Sequence, residues 1–241
     1  MRPSGSHAPV RHAATPLGAR TLSISTLALR PLPAIAALQA ALACPVVIVT
    51  SPAAVQFARR QLPLEARPGQ RWLALGEASA RALERAGIAQ VRIPETGTDS
   101  EALLSLPELK PPPEAVGLVT APGGRGLIAE SLAQAGCQVH RANVYRREPL
   151  HPRASRLRRL RKLPPSSALL VSSQEAFDGL WRHLDEPGRA ALRARPVVAS
   201  SARLAANLAG LGFQAIVLAA GAAPATMVDA LAADVGRGRF R

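Results

Sequence analysis

Lysine and aromatic side chains are almost missing from this chain. Lys110 and Lys162 are the only lysines among 241 residues, Tyr145 is the only tyrosine, and aromatic residues make up 3%. Hydrophobic residues still reach 48%, so a core forms, packed from Ala, Leu and Val, and global disorder is excluded. Cysteine is scarce too. Cys44 and Cys137 stand alone without metal-ligand spacing, which predicts reduced thiols and a cytoplasmic location. No apolar run reaches the length of a membrane span, and the first residues lack the apolar stretch of a signal peptide. A soluble chain without a membrane partner is expected. Acidic residues are the last shortage: 16 Asp and Glu stand against 30 Lys and Arg, giving a formal net charge of +14, nearly all arginine. Two readings of that charge stand. One is compositional bias accompanying the abundant alanine; the other is an anionic partner, either a polycarboxylate or phosphate substrate or a nucleic acid.

What the chain does have is alternation of short apolar strands with helices, and residues 116–150 show it most fully. Residues 116–120 form a β-branched apolar run suited to a buried parallel strand. The turn at 121–126 contains Gly123 and Gly124, which can take positive φ and bring bare N–H groups close to a ligand. Leu127, Ile128, Leu132 and Ala135 then recur at helical spacing up to Gly136, and 137–145 is extended again. With Arg125 beside a helix N-terminus, the turn offers an anion N–H groups, a dipole end and a cation; a tight turn with no ligand fits the same residues. Elsewhere, strands are expected at 21–29, 46–50, 72–75, 91–93, 168–171, 197–199 and 215–218. Helices are expected at 34–42, after Pro52, and at 78–86, 100–106, 153–163, 175–184, 202–211 and 226–233, with a short one at 10–17 closing at Gly18 and a cap from Thr98 or Asp99 for 100–106. Such alternation means parallel sheets.

The chain also repeats. Thr50-Ser51 echoes Ser172-Ser173, and at the same spacing Ser79 echoes Ser201; after a short insertion 91–93 matches 216–218. Two like domains follow. Each places a hydroxyl-bearing turn directly after an apolar strand and a second one opening the next helix. Ligands of open parallel sheets bind at the carboxyl ends of strands, so Thr50, Ser51, Ser79, Ser172, Ser173 and Ser201 are expected to meet in one cleft. Single serines there are also ordinary helix caps.

In order and spacing, Thr50-Ser51-Pro52, Gly76 with Ser79-Ala80, Ser100-Glu101, Gly123-Gly124-Arg125, Val144-Tyr145-Arg146-Arg147, Ser172-Ser173, Ser201-Ala202 and Gly212-Phe213 resemble the uroporphyrinogen-III synthase family. Ala53 stands where asparagine is common, and Ser79, Ser172 and Ser201 where threonine is common; the serines keep a hydroxyl. The resemblance implies an α/β fold of two similar open parallel-sheet (flavodoxin/Rossmann-like) domains joined by a two-stranded linker, one domain inserted in the other. The linker strands are placed at 21–31 and 139–147, the inserted domain at 32–138, and the discontinuous domain at 1–20 with 148–241. The implied reaction uses no cofactor: hydroxymethylbilane, a carboxylate-rich linear tetrapyrrole, loses water, its last pyrrole ring is inverted through a spiro intermediate, and the macrocycle closes. The implied chain is a monomer receiving substrate in a transient handover from the preceding enzyme of the pathway.

The residues fit such chemistry. They offer hydroxyls and N–H groups for carboxylates, with no paired carboxylates, histidine–nucleophile pair or metal cluster, so no metal is expected. His7, His12, His140, His151 and His183 are scattered and read as surface residues. Tyr145 matches the family's tyrosine near the cleft, where its phenol can hydrogen-bond or protonate the departing hydroxyl; a hinge tyrosine bonded to a backbone carbonyl is the alternative. Arg125 and Arg146 are candidates to meet substrate carboxylates. Two rivals are a non-catalytic binder of small polyanions and a nucleic-acid binder working through the basic run 153–162, which lacks aromatics to stack bases. Finally, Arg2-Pro3 and Gly18 match a family pattern that normally follows a strand, so the first domain is expected to lack its opening strand.

Overall fold

Local signals set the element ends from the start of the chain. Helix α1 (Ala8–Ala14) carries Pro9 in its first turn, where a missing N–H costs nothing. It passes into a 3-10 turn (Thr15–Leu17) and stops at Gly18, whose φ of 65° is left-handed. The structure is a computed structural model that describes residues 3–5, 7–95, 97, 99–123 and 126–236. Contacts divide it into two units: Met1–Ala28 with Glu148–Arg241, and Leu29–Arg147. Strand β1 (Leu27–Pro31) carries the chain from the first unit into the second.

The second unit holds α2 (Ile35–Ala43), β2 (Val46–Val49), α3 (Pro52–Arg59), β3 (Arg71–Ala74), α4 (Glu77–Glu84), β4 (Val91–Arg92), α5 (Ser100–Leu104), β5 (Ala115–Thr120), α6 (Leu127–Gln134) and β6 (Gln138–Asn143). Its five strands are all parallel, in the order β4-β3-β2-β5-β6. Every residue of β2 is buried, as expected for a strand covered on both faces. Alternate side chains go to opposite cores. Val47 and Val49 join Trp72, Ala74 and Val119 beneath α2, α3 and α4, while Val46 and Ile48 join Leu73, Val116 and Leu118 beneath α5 and α6. Each buried Val, Leu or Ile among them contributes about 1.5–3 kcal/mol by leaving water.

Strand β7 (Tyr145–Pro149) pairs with β1 and returns the chain to the first unit. There follow α7 (Ala154–Arg161), β8 (Leu169–Val171), α8 (Gln174–Arg182), α9 (Glu186–Arg193), β9 (Val197–Ala199), α10 (Ala202–Gly210), β10 (Ile216–Leu218) and α11 (Pro224–Gly236). The three strands are parallel in the order β10-β9-β8. One face buries Val171, Val197 and Ala199 with Phe177, Leu180, Leu192, Leu204 and Leu208; the other buries Val198 with Met227, and α1 lies against α11. The segment before β1 is tied down by Thr26, whose hydroxyl donates to the Ala176 carbonyl. Gly179, a turn further along α8, leaves room for it, since a Cβ there would come within 2.8 Å of Thr26 Cβ.

Four expectations shift. The crossing strands are β1 and β7 rather than 21–31 and 139–147. Residues 138–143 are a full member of the five-stranded sheet, in register from Ala115↔Gln138 to Thr120↔Asn143. The alternation in 21–25 serves burial alone: Ile24 and Leu22 pack on the first unit's core without joining a ladder. Helix α9 is additional to the expected elements, because Pro187 and Gly188 hide it; Asp185 caps it by accepting from Gly188 N–H at 3.1 Å. The repeat also changes register earlier than its sequence suggests. Val49 pairs with Ala74 and Val171 with Ala199, so Ser201 corresponds to Gly76, and Ser79 to Leu204. The short insertion therefore lies between β8 and β9. Of the proposed caps for α5, Asp99 accepts from Ala102 N–H at 2.9 Å, and Thr98 lies outside the described residues. The expectation about a missing first strand falls on Met1 and Arg2, also outside them.

The two cysteines sit in the second unit, each 5% exposed and free. Burial pushes both thiols above their ordinary range, and Cys137 adds to the rise at Cys44. A raised thiol contributes stability that is complete below the unfolded thiol pKa, near 8.5, and lost as pH rises through the folded value. Folding stability is therefore expected to fall above roughly pH 8.5, and native protein at neutral pH should resist iodoacetamide while urea-unfolded protein reacts at both positions. Rapid native labelling at neutral pH would contradict this burial.

Candidate functional site

Strand order reverses between β2 and β5, and the crevice at such a point, beyond the carboxyl ends of the strands, is where open α/β sheets take ligands. Two loops meet there. Thr50 follows β2 and donates its N–H to the Val119 carbonyl at 3.2 Å; its hydroxyl lies 2.8 Å from that of Thr120 at the end of β5. Ser51 is extended (φ −163°, ψ 157°) and caps α3 by accepting from Ala54 N–H at 3.1 Å. Its Oγ is also 3.1 Å from the Tyr145 phenol. Tyr145, 3% exposed, stacks on Phe57 with ring centroids 5.3 Å apart.

Thr50, Ser51, Thr120 and Tyr145 line a cavity of about 190 Å³ together with Gly123, Arg141 and Arg147. Gly123 has a φ of 83° and nothing within 4 Å of where a Cβ would lie, so the turn presents bare backbone at the mouth. Gly126, with a φ of 69°, opens α6; a side chain there would fall on the Glu130 carboxylate, which folds back over this helix start. Hydroxyls, N–H groups and guanidiniums therefore converge, the donor set that suits carboxylates. A larger, more open hollow of about 740 Å³ lies past the C-terminal ends of α3 and α4, lined by Arg59, Arg60, Leu62, Arg85 and Gly87 among others. None of its lining residues bears a hydroxyl, and it lies away from the strand-order reversal.

Of the residues singled out from sequence, Thr50, Ser51, Gly123 and Tyr145 come together in this cavity. Tyr145 bonds the Ser51 hydroxyl rather than a backbone carbonyl. Ser79 does not open its helix as expected. It lies inside α4, 4% exposed, because Gly76 rather than Ser79 occupies the cap position. Arg146 is exposed on β7, and Gly124 and Arg125 lie outside the described residues. Ser172, Ser173 and Ser201 belong to the other unit, where Ser173 caps α8 and Ser201 caps α10, each accepting an N–H at 3.3 Å. Thr120, Arg141 and Arg147 escaped sequence reasoning. Thr120 ends a strand with no special spacing, Arg141 comes into view only once the β5–β6 register is known, and Arg147 follows Tyr145 on β7. Among the described residues no cluster of His, Cys, Asp and Glu is suited to a metal, and no helix is long and apolar enough to cross a membrane.

The family model for "Uroporphyrinogen-III synthase HemD" matches residues 10–229. The chain belongs to the uroporphyrinogen-III synthase family. The uroporphyrinogen-III synthase of Salmonella typhimurium is 32% identical over 179 residues, covering 72% of either chain. Among solved structures, a mutant uroporphyrinogen III synthase from Thermus thermophilus is similar over 95% of each chain, with 19% identity and a TM-score of 0.59. The uroporphyrinogen-III synthetase of Helicobacter pylori is similar over 90% of this chain and 92% of its own, with 17% identity and a TM-score of 0.58. At those identities the likeness is one of fold: the synthases share the α/β architecture seen here.

Proposed function

We propose that the cavity between the ends of β2 and β5 is where this uroporphyrinogen-III synthase holds part of its substrate. The enzyme cyclises hydroxymethylbilane with loss of water and inversion of the last pyrrole ring. One observation carries the assignment of the site: the Ser51–Tyr145 hydroxyl pair, at 3.1 Å, lines a cavity at the strand-order reversal. Ala54 N–H already occupies a lone pair of Ser51. If Ser51 then donates its proton to the phenol oxygen, the phenol proton is left for the substrate. The chain Ala54 N–H, Ser51 O–H, Tyr145 O–H polarises in one direction, and each bond strengthens the next. Tyr145 is the proposed general acid: the hydroxymethyl C–O bond breaks and the oxygen leaves as water with the phenol proton, which returns when the new ring loses a proton to regain aromaticity.

Thr50, Ser51, Gly123, Gly124 and Arg125 are assigned to substrate carboxylates in the inserted domain, together with Arg146. The bilane exceeds a cavity of about 190 Å³, so Ser172, Ser173 and Ser201 of the other domain are assigned as further contacts. Catalysis lies mainly in holding a flexible chain in one folded shape. We also assign the enzyme to the cytoplasm as a monomer that takes its substrate in a transient handover from the enzyme producing it. The basic helix α7 is assigned no nucleic acid: Leu157 and Leu160 turn into the core, and its sequence has no aromatic residue. A carboxylate-rich substrate held partly by arginine should bind more weakly as salt rises, since exposed charges are screened beyond roughly 8–10 Å near physiological ionic strength. The check is KM against ionic strength. A flat profile would leave binding to neutral donors alone.

A further inference from the structure

Arg141 differs from the ion-paired arginines, and from Arg195, which Ala191 and Leu163 carbonyls hold in the other unit, in that its guanidinium lines the cavity. Arg81, Arg161 and Arg193 are paired with Glu77, Asp185 and Glu186. Arg141 has no carboxylate partner among the described residues and is instead held by neutral acceptors. Its Nε donates to Asn143 Oδ1 at 3.1 Å, and its Nη2 donates to the Ala121 carbonyl at 3.2 Å. The strand places it: Arg141 is opposite Leu118 in the β5–β6 ladder, two residues short of the end of β5. From there the guanidinium reaches the loop after β5 and lines the cavity with Thr50, Ser51, Thr120 and Tyr145.

Two bonds to neutral groups fix the plane of the guanidinium without cancelling its charge. The Nη1 amino group has no partner among the described residues, so donors remain for a planar anion. An arginine held in this way has already lost much of its rotamer freedom, which lowers the cost of receiving a carboxylate. Other cavity groups add neutral donors, the hydroxyls of Thr50 and Thr120 among them.

We propose that Arg141 receives one carboxylate of the tetrapyrrole substrate in this cavity, with Asn143 as the residue that positions it. This rests on the assignment of the cavity to hydroxymethylbilane. Arg141 makes its contact with ground state and transition state alike, so its loss falls on KM rather than kcat.

The test is steady-state kinetics of the full chain with hydroxymethylbilane, resolving the type I and type III products, for wild type, Arg141→Gln and Arg141→Lys, with urea unfolding of each. Arg141→Gln should raise KM on the order of tenfold to a hundredfold, the worth of a hydrogen bond to a charged group. Its kcat should stay within a few fold and its KM should depend less on salt. Arg141→Lys should fall between the two, keeping charge but losing the planar fork. Wild-type KM and salt dependence in a folded Arg141→Gln would overturn the proposal, as would a loss confined to kcat. Failure of the broader assignment looks different: the wild-type chain itself would yield only the type I product.

Discussion

Tyr145→Phe is expected to lower kcat on the order of tenfold to a hundredfold while leaving the protein folded. General acids contribute about 10²–10⁴, and water in the cavity substitutes in part. The substitution removes one hydroxyl. Stacking on Phe57 persists, and Ser51 continues to cap α3 through Ala54 N–H. The stability cost is therefore that of one neutral hydrogen bond, about 1 kcal/mol. Ser51→Ala acts through the same pair but also removes the cap, adding about 0.5–2 kcal/mol of instability. The measurement is kcat beside a urea midpoint for each variant. An unchanged kcat in Tyr145→Phe would make Tyr145 a packing residue and leave catalysis to substrate folding alone.

The second large effect is on stability. Gly117 lies mid-strand in β5, opposite Val47 on one side and His140 on the other. A Cβ there would fall inside the Ala41 carbonyl oxygen, with Ala41 C at 2.6 Å and Cα at 2.9 Å. That obstacle is backbone, so no side chain can swing aside, and α2 must lift off the sheet. Gly117→Ala is expected to cost roughly 3 kcal/mol or more, the upper end of overpacking effects, against a total stability of about 5–15 kcal/mol. The control is Gly210→Ala, with nothing within 4 Å of the new methyl; it should be neutral or stabilising by up to about 1 kcal/mol. Equal urea midpoints for Gly117→Ala and wild type would mean that α2 does not press on β5 as described.

Local chemistry made much of this molecule legible. Ser51, Ser173 and Ser201 follow strand residues and cap the next helix, Gly18 stops α1, and Asp99 caps α5; each acts within a few residues of chain. What escaped depends on pairing over distance. Polar residues at 139–143 read as a linker because edge strands need not be apolar, yet with Gln138 they pair with β5 along its whole length. Ser79 matched Ser201 in the sequence echo, but only the ladder shows that Gly76 holds the equivalent place. The candidate site divides the same way. Thr50, Ser51 and Gly123 belong to turns that announce themselves, whereas Thr120 and Arg141 matter because β2, β5 and β6 lie side by side.

We propose that this chain makes the type III macrocycle using its own side chains. The direct measurement is to give the purified protein fresh hydroxymethylbilane, without added metal or nucleotide, and to resolve the porphyrinogen isomers formed. Product is expected to be diverted from the spontaneous type I isomer to type III, and Tyr145→Phe is expected to slow this diversion. Product that remains type I in the presence of well-folded protein would contradict the proposal and would favour a non-catalytic binder of polyanions.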